Sequence, residues 1–156
     1  MILAFKDEYG WLSNFVDVDI EWDGGKYKSV EHAYQSAKSS DRQWKIVCAS
    51  GISSGKVKRA SRKIEVRQDW EKIKVSVMKD LLKQKFSDEY YKDKLLATGN
   101  TYIIEGNEWG DTFWGVDLRS GEGRNVLGRL IMELRDSLHS EQSGVVAKKE
   151  TAPGLS

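Results

Sequence analysis

Between Gln68 and Phe86 the apolar residues Trp70, Ile73, Val77 and Leu81 return at three- and four-residue intervals. That is the period of a helix that buries one face and wets the other. Such a helix folds stably only if other apolar surface covers its stripe, so the rest of the chain must supply partners. The segment from Asn125 to about Leu138 supplies one, with Leu127, Leu130, Ile131, Leu134 and Leu138 on a single face. Shorter helices are predicted from Val30 to about Ser39 behind a Ser29 cap, and from Asp41 to Ala49, ended near Gly51. Two more run from Ser53 or Ser54 to about Ile64, and from Ser87 to Thr98 with Gly99 as C-terminal cap.

Strand signals are fewer. Val16 to Trp22 alternates apolar and acidic residues, Asp23-Gly24-Gly25 reads as a hairpin turn, and Lys26 to Ser29 as the returning strand. Ile2 to Phe5 and Thr101 to Glu105 read as short strands. Gly106 to Arg124, rich in Gly, Asp and Trp, reads as a long functional loop holding a short strand around Phe113 to Val116. The expected fold class is α+β: a mostly helical single domain, residues 1–139, with a small antiparallel sheet near its N-terminus. From Ser140 to Ser156 periodicity is lost and the only proline, Pro153, occurs, so a disordered tail is expected.

A chain of 156 residues can bury a core without covalent staples. Cys48 is the only cysteine, which excludes an intramolecular disulfide and a thiolate metal cluster. His32 and His139 are the only histidines and lack paired-ligand spacing, so neither a metal nor a cofactor is expected. A formal charge of +1 confines any basic surface to local patches. MILAFKDEYG is apolar too briefly for a signal peptide and no run reaches membrane-spanning length, so a cytoplasmic protein without a membrane partner is expected. Nothing in the sequence defines the oligomeric state.

Four segments can carry chemistry. In SVEHAYQSAK, helical arithmetic puts Val30, Ala33, Tyr34 and Ala37 on one face and Glu31, Gln35 and Lys38 on another. A carboxylate, an amide and an ammonium so aligned suit the wall of a polar cleft, or equally a solvated face. Glu31 lies in the first turn, where the helix dipole favours its ionised form. In WGDTFWG, Trp114 followed by Gly115 offers an aromatic face with room beside it, and Asp111 a second carboxylate; ordinary turn chemistry accounts for the same residues. SGEGRN, ending at Asn125, is a glycine-rich entry to a helix, either a phosphate cradle or a connector. GKVKRASRK places Lys58, Arg59, Arg62 and Lys63 opposite Val57, Ala60 and Ile64: a solvated amphipathic face, or a strip for phosphate.

The stretches WLSNF, YKSVEHAYQSAK, RQDWEKIKVSVMKDLLKQKF, LLATGNTYIIEGN and DTFWGVDLRSGEGRNVLGRLIMELR together resemble the NADAR, or YbiA-like, family. They cover nearly everything from Trp11 to Arg135. The resemblance implies an N-glycosidase acting on a phosphoribosyl or ADP-ribosyl compound. Its members include hydrolases of phosphorylated riboflavin-pathway intermediates, and others that remove ADP-ribose from guanine in nucleic acid. A non-catalytic module that binds ADP-ribose or a nucleotide is a further alternative. By motif, the resemblance implies Glu31, Asp111 and Trp114 as the active-site set, with Asn14 and Trp70 as further pocket residues. Lys38, on the same helix face as Glu31, is expected to join Glu31 and Asp111 as a catalytic residue, and Phe15, Gln35, Gly115 and Asn125 are expected to join Asn14, Trp70 and Trp114 as substrate contacts. Glu31 would stabilise a sugar cation, Asp111 would orient water or assist the leaving base, and Lys38 would neutralise phosphate or attack an opened sugar. The sequence departs from the family pattern in ASGISSGKVKRASRK, which has no proline, and at Val116 after the Trp-Gly pair. Both changes bear on the pocket rim.

Overall fold

The computed structural model describes residues 1–151, with side chains to Gly144. It divides into two compact units, residues 6–92 and residues 1–5 with 93–156.

In the first unit the chain enters through a 3-10 turn, Asp7–Leu12. Strands β1, Ile20–Trp22, and β2, Gly25–Tyr27, pair antiparallel with Trp22 opposite Gly25. Asp23 and Gly24 both take positive φ, 47° and 79°, as a two-residue hairpin turn requires. The alternating run from Val16 thus yields a strand of three residues. The free edge of β1 is occupied by Gln84, whose side-chain amide accepts from Glu21 N at 2.9 Å and donates to Glu21 O at 2.6 Å.

Four helices follow: α1, Val30–Ser36; α2, Arg42–Ala49; α3, Ser54–Ala60; and α4, Trp70–Lys85. Their starts obey local chemistry. Ser29, Asp41 and Ser53 each accept a backbone N–H from the first turn of the helix they precede, satisfying a donor that would otherwise be orphaned. The stripe read from sequence on α4 is largely buried: Trp70, Val77 and Leu81 are core residues, with Met78 and Leu82 beside them. Helix α1 packs on α2, α3 and α4 and on the hairpin, so it is surrounded, and all seven of its residues are buried.

Helix α5, Glu89–Ala97, leads into the second unit, with Gly99 at φ 60° beyond its end. The strands expected at Ile2 to Phe5 and Thr101 to Glu105 reduce to one parallel bridge between Ile2 and Ile103. Two backbone bonds hold it, Ile2 N to Tyr102 O and Ile104 N to Ile2 O, each 2.8 Å. The strand expected around Phe113 to Val116 is β4, Val116–Asp117, which pairs parallel with β3, Gly106–Asn107. This parallel pair was not foreseen, because two-residue strands carry no alternation to read. The last helix, α6, is Val126–Thr151, longer than the expected end near Leu138. Within the expected tail, residues 140–144 are helical. Residues 152–156 and the side chains from 145 onward lie outside the described residues.

Candidate functional site

The site in the first unit is built on α1. Ser29 Oγ accepts from His32 N at 3.1 Å and lies 2.6 Å from His32 Nδ1. His32 Nε2 lies 2.6 Å from Ile52 O. A carbonyl only accepts, so the imidazole proton sits on Nε2, and Nδ1 accepts from Ser29. His32 is therefore a clamp that fixes the start of α1 against the segment before α3.

With α1 so fixed, its second face does not reach solvent. Glu31 is 6% exposed and Gln35 3%. The solvated-face alternative is ruled out for both. Gln35 Nε2 donates to Glu31 Oε1 at 2.7 Å, an i,i+4 pair that helix geometry makes available. Burial raises the Glu31 carboxyl above its ordinary range, against the opposing pull of Gln35, Lys58, Lys38 and His32. The expectation that the helix dipole leaves Glu31 readily ionised is thereby corrected. Desolvation of a buried charge acts over the whole side chain, whereas a helix of seven residues offers only a short dipole. Lys38, part-exposed, is shifted downward by burial, with Glu31 opposing the shift.

Around this pair stand the other sequence-derived residues of the unit. Asn14 is buried and its carbonyl accepts from Glu31 N at 3.0 Å. Asn14 Nδ2 donates to the sulfur of Met78, at 3.6 Å. Asn14 Oδ1 and Gln35 Oε1 are both buried, and neither finds a donor among the described residues. Buried acceptors are rarely left so. Trp70, 5% exposed, packs on the Tyr34 ring at 5.1 Å; it supports α1 from the core. Lys38 Nζ lies 5.6 Å from the centre of the same Tyr34 ring. Phe15 is exposed, with Lys58 Nζ 5.8 Å from its ring centre.

Two lysines lie deeper than their sequence context suggests. Lys58 is expected, with Arg59, Arg62 and Lys63, on a solvated face or a strip for phosphate, but its neighbours at i−4 and i+3, Ser54 and Ser61, are buried. Lys58 therefore turns inward, while Lys56, Arg59, Arg62 and Lys63 remain exposed. Spacing from the buried serines was the signal available. Lys85 is fully buried, donates to Ser13 O at 2.8 Å and is lowered by burial to about 7. A lysine flanked by Gln84 and Phe86 gives no sequence sign of this.

In the second unit Asp111, Trp114, Gly115 and Asn125 fall in one neighbourhood. Asp111 Oδ1 accepts from Phe113 N at 3.0 Å and Trp114 N at 2.9 Å, an Asx turn. One carboxylate oxygen is thus structural. Asn107, which the sequence did not single out, exchanges two bonds with the Asp111 backbone and reaches Glu105 Oε2 at 3.1 Å. Gly115 is required by close approach: a Cβ there would collide with the carbonyl and carboxylate of Glu105. Asn125, expected to contact substrate, instead holds the fold. It adopts φ 51°, and its amide accepts from Glu105 N at 3.0 Å and donates to Ile103 O at 2.9 Å. Both ends of its amide bind backbone. The Trp114 and Phe113 rings meet edge to face at 4.9 Å, and Arg124 lies 5.0 Å from the Phe113 ring.

Among the described residues no group of three or more His, Cys, Asp or Glu is placed to hold a metal ion. No described helix is long and apolar enough to cross a membrane.

A family model described as the NADAR domain matches residues 4–139. The chain is 34% identical over 141 residues to N-glycosidase YbiA of Escherichia coli, covering 88% of this chain and 86% of that protein. It is 35% identical over 135 residues to a riboflavin biosynthesis protein of Vibrio vulnificus, matching 85% of this chain and 36% of the longer relative. It is 44% identical over 88 residues to the chloroplastic riboflavin biosynthesis protein PYRR of Arabidopsis thaliana, of which that match covers 14%. Among solved structures, the NMR structure of the E. coli protein YbiA superposes with a TM-score of 0.78 at 33% identity. The match covers 90% of this chain and 84% of that one.

Proposed function

Because the chain belongs to the NADAR family, we propose that it is an N-glycosidase that hydrolyses the C–N bond joining ribose to the base or amine of a phosphoribosylamino-pyrimidine, a riboflavin-pathway intermediate. The observation that carries this reading is the buried Glu31 carboxylate, held by Gln35 and flanked by Lys38 and Lys58. Hydrolysis adds water across the bond: the anomeric carbon takes the hydroxyl and the leaving nitrogen takes the proton. Positive charge builds on the sugar as the bond breaks, and a desolvated carboxylate stabilises that charge more than a solvated one can. Burial that raises Glu31 also makes its carboxylate a stronger base toward the attacking water. Lys38 holds a compensating charge beside it. Asn14 and Gln35 accept from sugar hydroxyls. The substrate is a small molecule, and the protein works in the cytoplasm without a membrane partner.

A second reading, removal of ADP-ribose from guanine in nucleic acid, rests on the exposed cations Lys56, Arg59, Arg62 and Lys63 of α3, a strip suited to a phosphate backbone. The test incubates the pure protein with ribosylaminopyrimidine phosphate and with ADP-ribosylated guanine in single-stranded DNA, following sugar release. Turnover of the first, lowered at least about 100-fold by Glu31→Gln, supports the primary reading. Turnover of the second alone supports the other. Wild-type turnover by Glu31→Gln would refute the role given to Glu31.

A further inference from the structure

We propose that Lys85 is a positioning residue of this site: its side chain holds the Ser13 carbonyl and thereby fixes the aim of the Asn14 amide beside Glu31. The inference rests on the N-glycosidase reading, in which Asn14 accepts from the sugar. All the groups involved belong to one compact unit, residues 6–92. Asn14 does little to hold its own side chain in place. Its Oδ1 is buried and finds no donor among the described residues, and its Nδ2 donates to Met78 Sδ at 3.6 Å, a weak acceptor. The aim of the amide is therefore set by the backbone on either side. Three successive carbonyls of that backbone are each held by a different helix. Ser13 O accepts from Lys85 Nζ of α4 at 2.8 Å, Asn14 O from Glu31 N of α1 at 3.0 Å, and Phe15 O from Ser54 Oγ of α3 at 3.1 Å. A turn bond from Val16 N to Ser13 O is longer, at 3.4 Å.

Packing alone does not call for a lysine at this place. Lys85 is fully buried, and a leucine or methionine would fill its volume without the cost of desolvating an ammonium. What the lysine adds is a donor on a stem long enough to reach Ser13 O. Its surroundings aim that donor. Nζ lies 5.1 Å from the Phe86 ring centre and 5.0 Å from that of Tyr91, faces that attract a cation. Lys85 and Met78 stand about two turns apart on the same face of α4, so one stripe supports both Ser13 and the Asn14 side chain. Neighbouring contacts hold the chain that follows. Tyr91 donates to Asp17 O at 2.8 Å, and Gln84 binds both backbone groups of Glu21. The end of α4 and the start of α5 thus grip the chain from Ser13 to Glu21, and Lys85 takes the point next to the residue that meets the sugar.

A double-mutant cycle separates positioning from mere stability. Lys85→Met and Asn14→Ala are made singly and together, and amide NMR spectra verify that each protein is folded. Two quantities are read for all four proteins: kcat/KM on ribosylaminopyrimidine phosphate, and affinity for ribose 5-phosphate by NMR titration. A misplaced contact predicts about a 10- to 100-fold loss of kcat/KM for Lys85→Met when Asn14 is present. Where Asn14 is already alanine, the same change costs less than about 3-fold. Ribose 5-phosphate affinity is expected to show the same non-additivity. Lys85→Gln, whose donor is one bond shorter, runs through the same cycle, so the outcome does not hang on one variant. Equal losses in the two backgrounds would overturn the proposal, as would an unchanged rate when Asn14 is present. Non-additive losses of ribose 5-phosphate affinity in a protein that releases no sugar from either ribosylaminopyrimidine phosphate or ADP-ribosylated guanine would refute the hydrolase reading and leave the positioning role standing. Absence of both binding and turnover in the wild type would overturn both.

Discussion

Lys85 offers a test of the packing beneath the site. Its side chain is fully buried in α4, with Nζ 2.8 Å from Ser13 O and about 5 Å from two aromatic rings, 5.1 Å to Phe86 and 5.0 Å to Tyr91. Among the described residues no carboxylate pairs with it. Burial alone lowers its ammonium from 10.5 to about 7. The folded value lies below the unfolded one, so between pH 7 and 10.5 the unfolded chain binds more protons and stability rises with pH. At about 1.4 kcal/mol per pKa unit, the gain between pH 7 and pH 9 is about 2 kcal/mol. It falls short of two full units because Lys85 is still half-charged at the lower pH. Lys85→Met removes the titration and keeps most of the volume, while leaving Ser13 O without its donor. Urea unfolding of both proteins at pH 7, 8 and 9 measures the effect. Subtracting the two curves cancels groups common to both, such as Cys48, whose thiol burial pushes up to about 12. The wild type is expected to gain about 2 kcal/mol on the variant across that range. Parallel curves would refute the burial argument.

Two further outcomes follow from the site geometry. Gln35→Leu removes the donor that favours the Glu31 carboxylate; Glu31 must lose its proton to act as base, so the acid limb of the kcat/KM–pH profile, already above the ordinary carboxylate range, moves to higher pH. An unmoved limb would show that Glu31 does not set it. Asn125→Ala deletes two bonds to backbone at a position with φ 51°, and should lower stability by about 2–3 kcal/mol in urea unfolding. KM of the folded variant stays at the wild-type value; a raised KM with stability intact would restore the substrate contact expected from the motif.

Much of the fold was readable because it is local chemistry. Ser29, Asp41 and Ser53 cap helices by bonds to residues two or three positions on, and Asp23-Gly24 turns the hairpin by its own φ preference. Elements defined by distant partners were not readable in the same way. The Ile2–Ile103 bridge and the β3–β4 pair carry no period, since one or two residues cannot alternate. Asn125 illustrates the same limit at the site. A glycine-rich entry to a helix suits a phosphate and a connector alike, and only the placement of Ile103 and Glu105 turns its amide into a structural clamp.

By itself, the sequence determined that Glu31, Gln35 and Lys38 share one face of a capped helix, because helical rotation depends on nothing beyond the backbone. Whether that face meets water was not in the spacing. Tertiary packing decided it by laying α2, α3 and α4 against α1, which removed the solvent from Glu31, raised its carboxyl and brought Lys58 to it. The physical reason is that desolvation and charge proximity are properties of surroundings, which are assembled from residues far apart in the chain.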